Sequence, residues 1–126
     1  MNCIAAIYDL KGAPVGDEIL DCLLALSPAP EITRQQSLCG ALALGCEGPG
    51  SSLAQHDATG LQVAFAGRLD ARLEICNILG LDERSGVKDA EIILQGWLRW
   101  GTDLPQRLVG DFSAVIWDVQ KQTLYA

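Results

Sequence analysis

The chain has 126 residues, 49% hydrophobic and 20% charged, which is one domain over residues 1–126 with a single core. It is too apolar for disorder, and its mean hydropathy of +0.21 is high enough that some apolar surface is expected to meet a partner. Nine Lys and Arg against 16 Asp and Glu give a net charge of −7 with no basic run, so no nucleic-acid partner is expected.

The opening run Cys3 to Tyr8 is apolar at every second position in both registers, as a strand buried on two faces requires, and a central place in a sheet is expected for it. Asp9 to Gly16 carries the Gly and Pro of a turn. Asp17 then stands as N-cap of a helix whose apolar arc is Ile19, Leu20, Cys22, Leu23, Leu24 and Leu26, ended by Ser27 to Pro30. Glu31 to Leu38 is polar and fits no single element. Cys39 to Cys46 reads as a second two-faced strand, Glu47 to Ser51 as a turn, Leu53 to His56 as a shorter strand, and Leu61 to Ala66 as the next. These last three strands make an antiparallel group.

Asp70 suits the N-cap of a helix over Ala71 to Leu79 that ends at Gly80, and Asp89 that of a helix over Ala90 to Trp100 that ends at Gly101. In the second helix Ala90, Ile93, Leu94, Trp97 and Trp100 form one apolar side. Glu91, Gln95 and Arg99 form a polar row expected to face water. Asp103 and Pro105 suit a further short helical turn, after which Gly110 and Asp111 are expected to break the chain before a strand from Phe112 to Trp117. Asp118 to Gln122 is a turn, and Thr123 to Tyr125 the returning strand. Strands dry on both faces need another sheet on one side and helices on the other, so the expected layers are helix, sheet, sheet, helix.

Five cysteines, Cys3, Cys22, Cys39, Cys46 and Cys76, are odd in number and mostly set in apolar runs, which suits free buried thiols better than a disulfide framework. No C-x-x-C pair occurs, and His56 is the single histidine, read as an ordinary strand or loop residue, so no metal site is expected. No apolar run reaches the roughly 20 residues of a membrane helix, and no basic segment precedes an apolar core at the N-terminus. No membrane partner is expected, and a cytoplasmic location is.

Several segments together resemble one family. Trp100-Gly101, Arg107-Leu108, Gly110, Phe112, Ile116-Trp117-Asp118 and Leu124 fall in the order and spacing of the run aromatic-Gly, R-L-x-G-x-F-A, I-W-D and Leu found in the glutaminase domain of asparagine synthetases and their relatives, with Ser113 in place of Ala. The opening MNCIAAIYD is similar to M-C-G-I-x-G-I-x-D, AGRLDARLEI lies where N-G-E-I-x-N-x-x-x-L is usual, and KDAEIIL where S-D-T-E-x-x-L is usual. The resemblance implies an α+β fold of the N-terminal-nucleophile type, an αββα sandwich of two antiparallel sheets flanked by helices. It also implies that this domain is incomplete at the C-terminus, since the family's sheets continue further. On that basis self-association through the uncovered side of the sheet is an expectation.

In active members the Cys after Met becomes residue one. Its thiol attacks the glutamine side-chain amide while its own α-amine acts as base. Matched residue by residue, Asn2 takes the nucleophile's place and Cys3 that of the following Gly. The oxyanion donor, an Asn in the family, falls on Ala66, while Gly67 keeps the backbone feature beside it. The arginine that holds the substrate carboxylate, within G-H-R-R-L-S, is absent from Gly40-Ala41-Leu42-Ala43-Leu44. Asp89 matches the aspartate that holds the substrate amine, though the cap is the first reading of it. Catalytic residues are therefore expected to be none, with Asn2, Cys3 and Ala66 as degenerate positions and Gly67 and Asp89 as residual binding residues.

The resemblance then implies a non-catalytic N-terminal scaffold domain of an ATP-dependent amide-bond-forming enzyme. A lasso-peptide cyclase, which closes a macrolactam, comes ahead of a β-lactam synthetase, another asparagine synthetase homologue or a stand-alone binding module. The implied partners are a C-terminal synthetase domain or chain and the parent enzyme's peptide substrate. No cofactor is expected in this chain; ATP and Mg would belong to the synthetase domain, because no Ser-Gly-Gly-x-Asp-Ser type pyrophosphate loop occurs here.

Overall fold

A computed structural model of the chain describes residues 2–16 and 35–126, with Glu18, Asp21 and Ala25 between them. The helix expected over residues 17–26 falls largely outside the described residues, as does the stretch 27–34. The strands are β1 (Cys3–Tyr8), β2 (Gln35–Cys39), β3 (Leu42–Glu47), β4 (Ser51–His56), β5 (Leu61–Asp70), β6 (Val109–Asp118) and β7 (Thr123–Tyr125). The helices are α1 (Arg72–Leu79) and α2 (Asp89–Trp100), with 3-10 turns at Glu83–Ser85 and Gly101–Arg107. The strands form two antiparallel sheets, in the orders β1-β3-β2 and β4-β5-β6-β7. The fold is an α+β sandwich, as expected.

The ten residues of β5 divide the core by strand alternation. Leu61, Val63, Phe65 and Leu69 point to the helices, where they meet Ile75, Cys76, Ala90, Ile93, Leu94 and Leu104. The opposite face turns to the three-stranded sheet, and there the buried Gln62 accepts a hydrogen bond from the Ser37 hydroxyl at 2.9 Å. Between the sheets, Leu42 and Leu44 of β3 pack on Trp117 of β6, whose ring centroid lies 5.0 Å from that of Tyr8. Beyond the three-stranded sheet, Ala5 and Ala43 pack on Val15.

Several expectations change. Cys39 to Cys46 is a hairpin rather than one strand: Gly40, at φ 57, and Ala41 turn the chain, so that Cys39 pairs with Leu42. A glycine with positive φ in the first position of a two-residue loop suits the primed hairpin turns, which a continuous apolar composition hides. The central strand of the three-stranded sheet is β3, buried throughout, and β1 lies at its edge with most of its residues half-buried. An apolar run reports dry faces, not the number of paired neighbours. The antiparallel group of three also divides, because the turn from Gly48 to Ser51 carries the chain from one sheet to the other, leaving β4 paired with β5.

Gly110 and Asp111 do not break the chain before β6. They pair with Leu69 and Arg68, extending both strands past the apolar stretch that marked them in the sequence. Asp70 does not cap α1 either: it ends β5, its carboxylate lies 3.0 Å from Arg68 Nε, and the cap residue is Ala71 at φ 53. Gly80 ends α1 as expected, with bonds from Gly80 N–H to Asn77 and from Leu81 N–H to Cys76. The polar row of α2 is only partly wet: Glu91 and Gln95 are half-buried and bond to each other at 2.9 Å, and Arg99 donates to the Ile78 carbonyl at 2.6 Å.

Trp117 is 3% exposed and ties the two sheets together. Trp117→Ala is expected to cost about 3–5 kcal/mol. Trp117→Phe is expected to cost less, because it also removes an indole N–H that has no hydrogen-bond partner among the described residues. Denaturation midpoints of the two variants check this; an unchanged midpoint in Trp117→Ala would place the strand outside the core.

Candidate functional site

The start of β1, the Gly48 to Ser51 turn, the middle of β5 and the start of α2 meet at one end of the sandwich. Asn2 Oδ1 accepts from the Gly50 N–H at 2.9 Å. Gly50 in turn offers its carbonyl to the Gly67 N–H, also at 2.9 Å. A Cβ on Gly50 would lie 2.7 Å from the Gly67 oxygen and 3.2 Å from Asn2 Cγ, so this contact needs a residue without a side chain. Ala66 sits beside it, 7% exposed and opposite Ser51 in the β4–β5 register. Cys3 follows Asn2 into β1, half-buried, opposite the fully buried Glu47.

Asp89 is the first residue of α2 and not its cap; the cap residue is Lys88, with no side-chain cap bond. The buried Ser52 performs that task from across the fold, its hydroxyl oxygen accepting the Ala90 N–H at 3.0 Å. One of the unpaired donors that every helix start presents is thereby satisfied. The Asp89 carboxylate is left for another partner, the guanidinium of Arg72 in the first turn of α1. Arg72 also donates from Nη2 to the Val87 carbonyl at 2.7 Å and lies 3.8 Å from Glu83. The side chains of the Arg72–Asp89 pair are only 28% and 19% exposed, so solvent screens it less than a surface pair.

Gly50, Ser51, Ser52, Arg72, Lys88 and Asp89 line a cleft of about 230 Å³. Of the degenerate and residual positions named from the sequence, Asp89 lines this cleft, whereas Asn2, Cys3, Ala66 and Gly67 are not among its lining residues; Asn2 and Gly67 reach it only through their bonds to Gly50. Ser52 carries no motif signal in the sequence, and Arg72 and Lys88 lie in the AGRLDARLEI and KDAEIIL runs only at a variable position and at the place of the usual Ser; the arginine, as a cation in the first turn of a helix where acids are preferred, is out of place by the helix-dipole rule.

The chemistry this arrangement offers is limited. The Ser51 hydroxyl donates to the Gly48 carbonyl at 2.6 Å, and His56, the single imidazole, bonds with Thr59 at 2.7 Å in the β4–β5 turn. The Ser51 hydroxyl is thereby committed to a backbone carbonyl, and the imidazole is not among the residues that line the cleft. Among the described residues no group of three or more His, Cys, Asp or Glu could hold a metal ion, and no helix is long and apolar enough to cross a membrane.

Cys46, one strand away, is fully buried and free. Burial pushes its thiol pKa up, and the Ser51 hydroxyl and Lys88 offset this only in part. A thiol whose pKa is raised on folding keeps its proton longer in the folded state than in the unfolded one. Its stabilising contribution is thus whole below the unfolded value of about 8.5 and is lost as pH rises beyond it. The denaturation midpoint should fall between pH 8 and pH 10, and fall less in Cys46→Ala; an equal fall in both would remove Cys46 from the account. Gly50→Ala is expected to cost about 1–3 kcal/mol by overpacking and to shift the NMR signals of the Asn2 side-chain amide. An unshifted amide would mean that the Asn2–Gly50 contact does not form.

A family model described as a glutamine amidotransferase domain matches residues 48–126. No curated protein matches the chain. The matched span takes in Gly50, Ala66, Gly67, Arg72 and Asp89, whereas Asn2 and Cys3 precede it. It covers more than half of the residues, and the chain accordingly belongs to the glutamine amidotransferase domain family.

Proposed function

We infer that this chain is a glutaminase-like domain that hydrolyses no glutamine and serves as the N-terminal scaffold of an ATP-dependent amide-bond-forming enzyme of the asparagine synthetase type. The observation that carries the reading is the Gly67 N–H, which is engaged by the Gly50 carbonyl at 2.9 Å. With Ala66 beside it offering only a methyl, neither residue has a donor free for a tetrahedral oxyanion. Loss of one such donor commonly slows acyl transfer by ~10²-fold or more. At the nucleophile's place Asn2 carries an amide with no attacking atom, and that amide is bonded to Gly50. Asp89, the group suited to a substrate ammonium, already holds Arg72.

The thiol of Cys3 is the alternative nucleophile. It is the third residue of this sequence and half-buried in β1, its Sγ 3.7 Å from the Ile4 carbonyl. An N-terminal amine beside it would require removal of both Met1 and Asn2. The sequence contains no glycine-rich pyrophosphate loop, so the residues present do not suit ATP and Mg; activation of a carboxylate belongs, in this reading, to a synthetase domain or partner chain. Within the asparagine synthetase relatives, those lacking the N-terminal cysteine use an internal amine in place of ammonia. The more specific reading is that the parent enzyme is a cytoplasmic lasso-peptide cyclase with a peptide substrate, placed slightly ahead of a β-lactam synthetase, which also uses an internal amine.

The purified chain should release no glutamate from glutamine above a buffer control. Release that is abolished by Cys3→Ala would overturn the reading, and mass spectrometry of the N-terminus would then show a chain beginning at Cys3.

A further inference from the structure

The last turn of α2 faces the turn between β4 and β5 and the turn between β6 and β7, and the three enclose a second cleft, lined by Thr59, Trp97, Trp100, Asp118, Lys121 and Tyr125 among others. Its volume of about 390 Å³ is that of a small-molecule site. It shares no residue with the cleft at Gly50 and Asp89. The 12 residues of α2, about 18 Å of helix, separate the two.

Asp118 is only 9% exposed. Its Oδ1 accepts the Gln120 and Lys121 N–H groups at 3.0 and 3.1 Å, which closes the β6–β7 turn. Oδ2 has no hydrogen-bond or ion-pair partner among the described residues, yet it is not sealed from solvent. A carboxylate buried to this extent is ordinarily paired, and the access left to Oδ2 is through the cleft that Asp118 lines. Lys121 does not neutralise it: that side chain is exposed and forms no ion pair among the described residues. The remaining surface is largely aromatic. Trp97 and Tyr125 are half-buried and meet at 54° with centroids 4.5 Å apart. Beside them Trp100 already draws two cations, Arg107 at 4.9 Å and Arg99 at 5.7 Å from its ring, although neither arginine lines the cleft. The negative ring faces and the C-terminal end of α2 act in the same direction as the carboxylate, towards positive charge.

We propose that this cleft binds an organic cation of the alkylammonium class, with its charged head at Asp118 Oδ2 and its methyl or methylene groups against Trp97 and Tyr125. A hard metal ion fits the walls less well, because it asks for about six oxygen ligands and gains nothing from indole and phenol rings. An alkylammonium uses both parts of the cleft, since its charge pairs with the carboxylate while its carbon surface leaves water against the rings. Lys121 opposes it from the rim and holds the affinity down.

Choline is the probe, and 3,3-dimethylbutan-1-ol, which has the same shape without the charge, is its control. Each is titrated into the intact 126-residue chain and followed by tryptophan fluorescence and by the NMR signals of the Trp97 and Trp100 indole N–H groups. Choline is expected to give a saturable shift, and the neutral alcohol to bind about tenfold more weakly or worse. Asp118→Asn keeps an oxygen for the Gln120 and Lys121 N–H groups, so it should fold with a midpoint close to that of the parent chain, and it is expected to weaken choline binding about tenfold. Lys121→Gln, at an exposed position, should fold normally and tighten binding by about twofold or more, as removal of a screened like charge does. A titration that does not saturate, equal affinity for the two probes, or a folded Asp118→Asn that binds choline as the parent does would overturn the proposal. Should Asp118→Asn not fold, Lys121→Gln decides the point, and an affinity unchanged there would overturn it equally.

Discussion

The ladder between β5 and β6 is the interaction on which the remaining structure depends. Nine successive pairs join Gln62 to Asp70 with Trp117 to Val109, longer than any other pairing among the described residues. Each strand contributes side chains to both layers of core. Phe65 and Phe112 stack at 5.6 Å on the helix side, and Trp117 packs against the other sheet. Gly67, at φ 133, sits so close to Asp111 and Phe112 that no Cβ could be accommodated. A glycine there is a condition of the strands continuing past the apolar segment, and the continuation carries the chain to Ala71 and into α1. The cleft then follows from where β5 stops, because Arg72 enters it from the very next turn.

The elements legible in the sequence are those whose two faces differ in an orderly way or whose ends carry turn residues. α2 shows both: an apolar side centred on Ala90, Ile93 and Leu94, all fully buried or nearly so, and Gly101 at its end. The β6–β7 hairpin is legible for the same reason, with Asp118 bonding the N–H groups of Gln120 and Lys121 in the turn. β2 is not legible, since its polar residues Gln35, Gln36 and Ser37 find partners only through other parts of the fold, as when Gln35 Oε1 accepts the Leu53 N–H at 3.1 Å. The division of Cys39 to Cys46 was hidden because both strands and the loop between them are built from small or apolar residues. Sheet membership was equally hidden: a turn such as Gly48 to Ser51 reads the same whether it folds a hairpin or passes from one sheet to another.

At the cleft the difference between legible and hidden residues is one of range. Asn2, Ala66, Gly67 and Asp89 could be named because each lies in a local run that resembles a motif; the fold sets Asn2 and Gly67 on Gly50 and Asp89 at the start of α2, with Ala66 outside the cleft's lining. Their partners could not be named. Ser52 reaches Ala90 across 38 positions of sequence and Asn2 reaches Gly50 across 48, and nothing in local composition reports contacts of that span. The reading of Asp89 as a cap fails for a related reason. An aspartate before an apolar helix is the usual cap, but here a serine from β4 arrives at the helix start first, and the carboxylate turns to Arg72.

That last exchange has a thermodynamic consequence for anything that enters the cleft. A ligand ammonium that takes the Asp89 oxygen engaged by Arg72 competes with that guanidinium, so its apparent affinity there is the intrinsic one scaled down by the fraction of molecules in which Arg72 has turned away. Opening also strips Arg72 from the Val87 carbonyl and from Glu83, loosening the segment that leads into α2. An internal guanidinium thus acts as a permanently tethered competitor, present at an effective concentration that a dissolved amino acid would have to exceed.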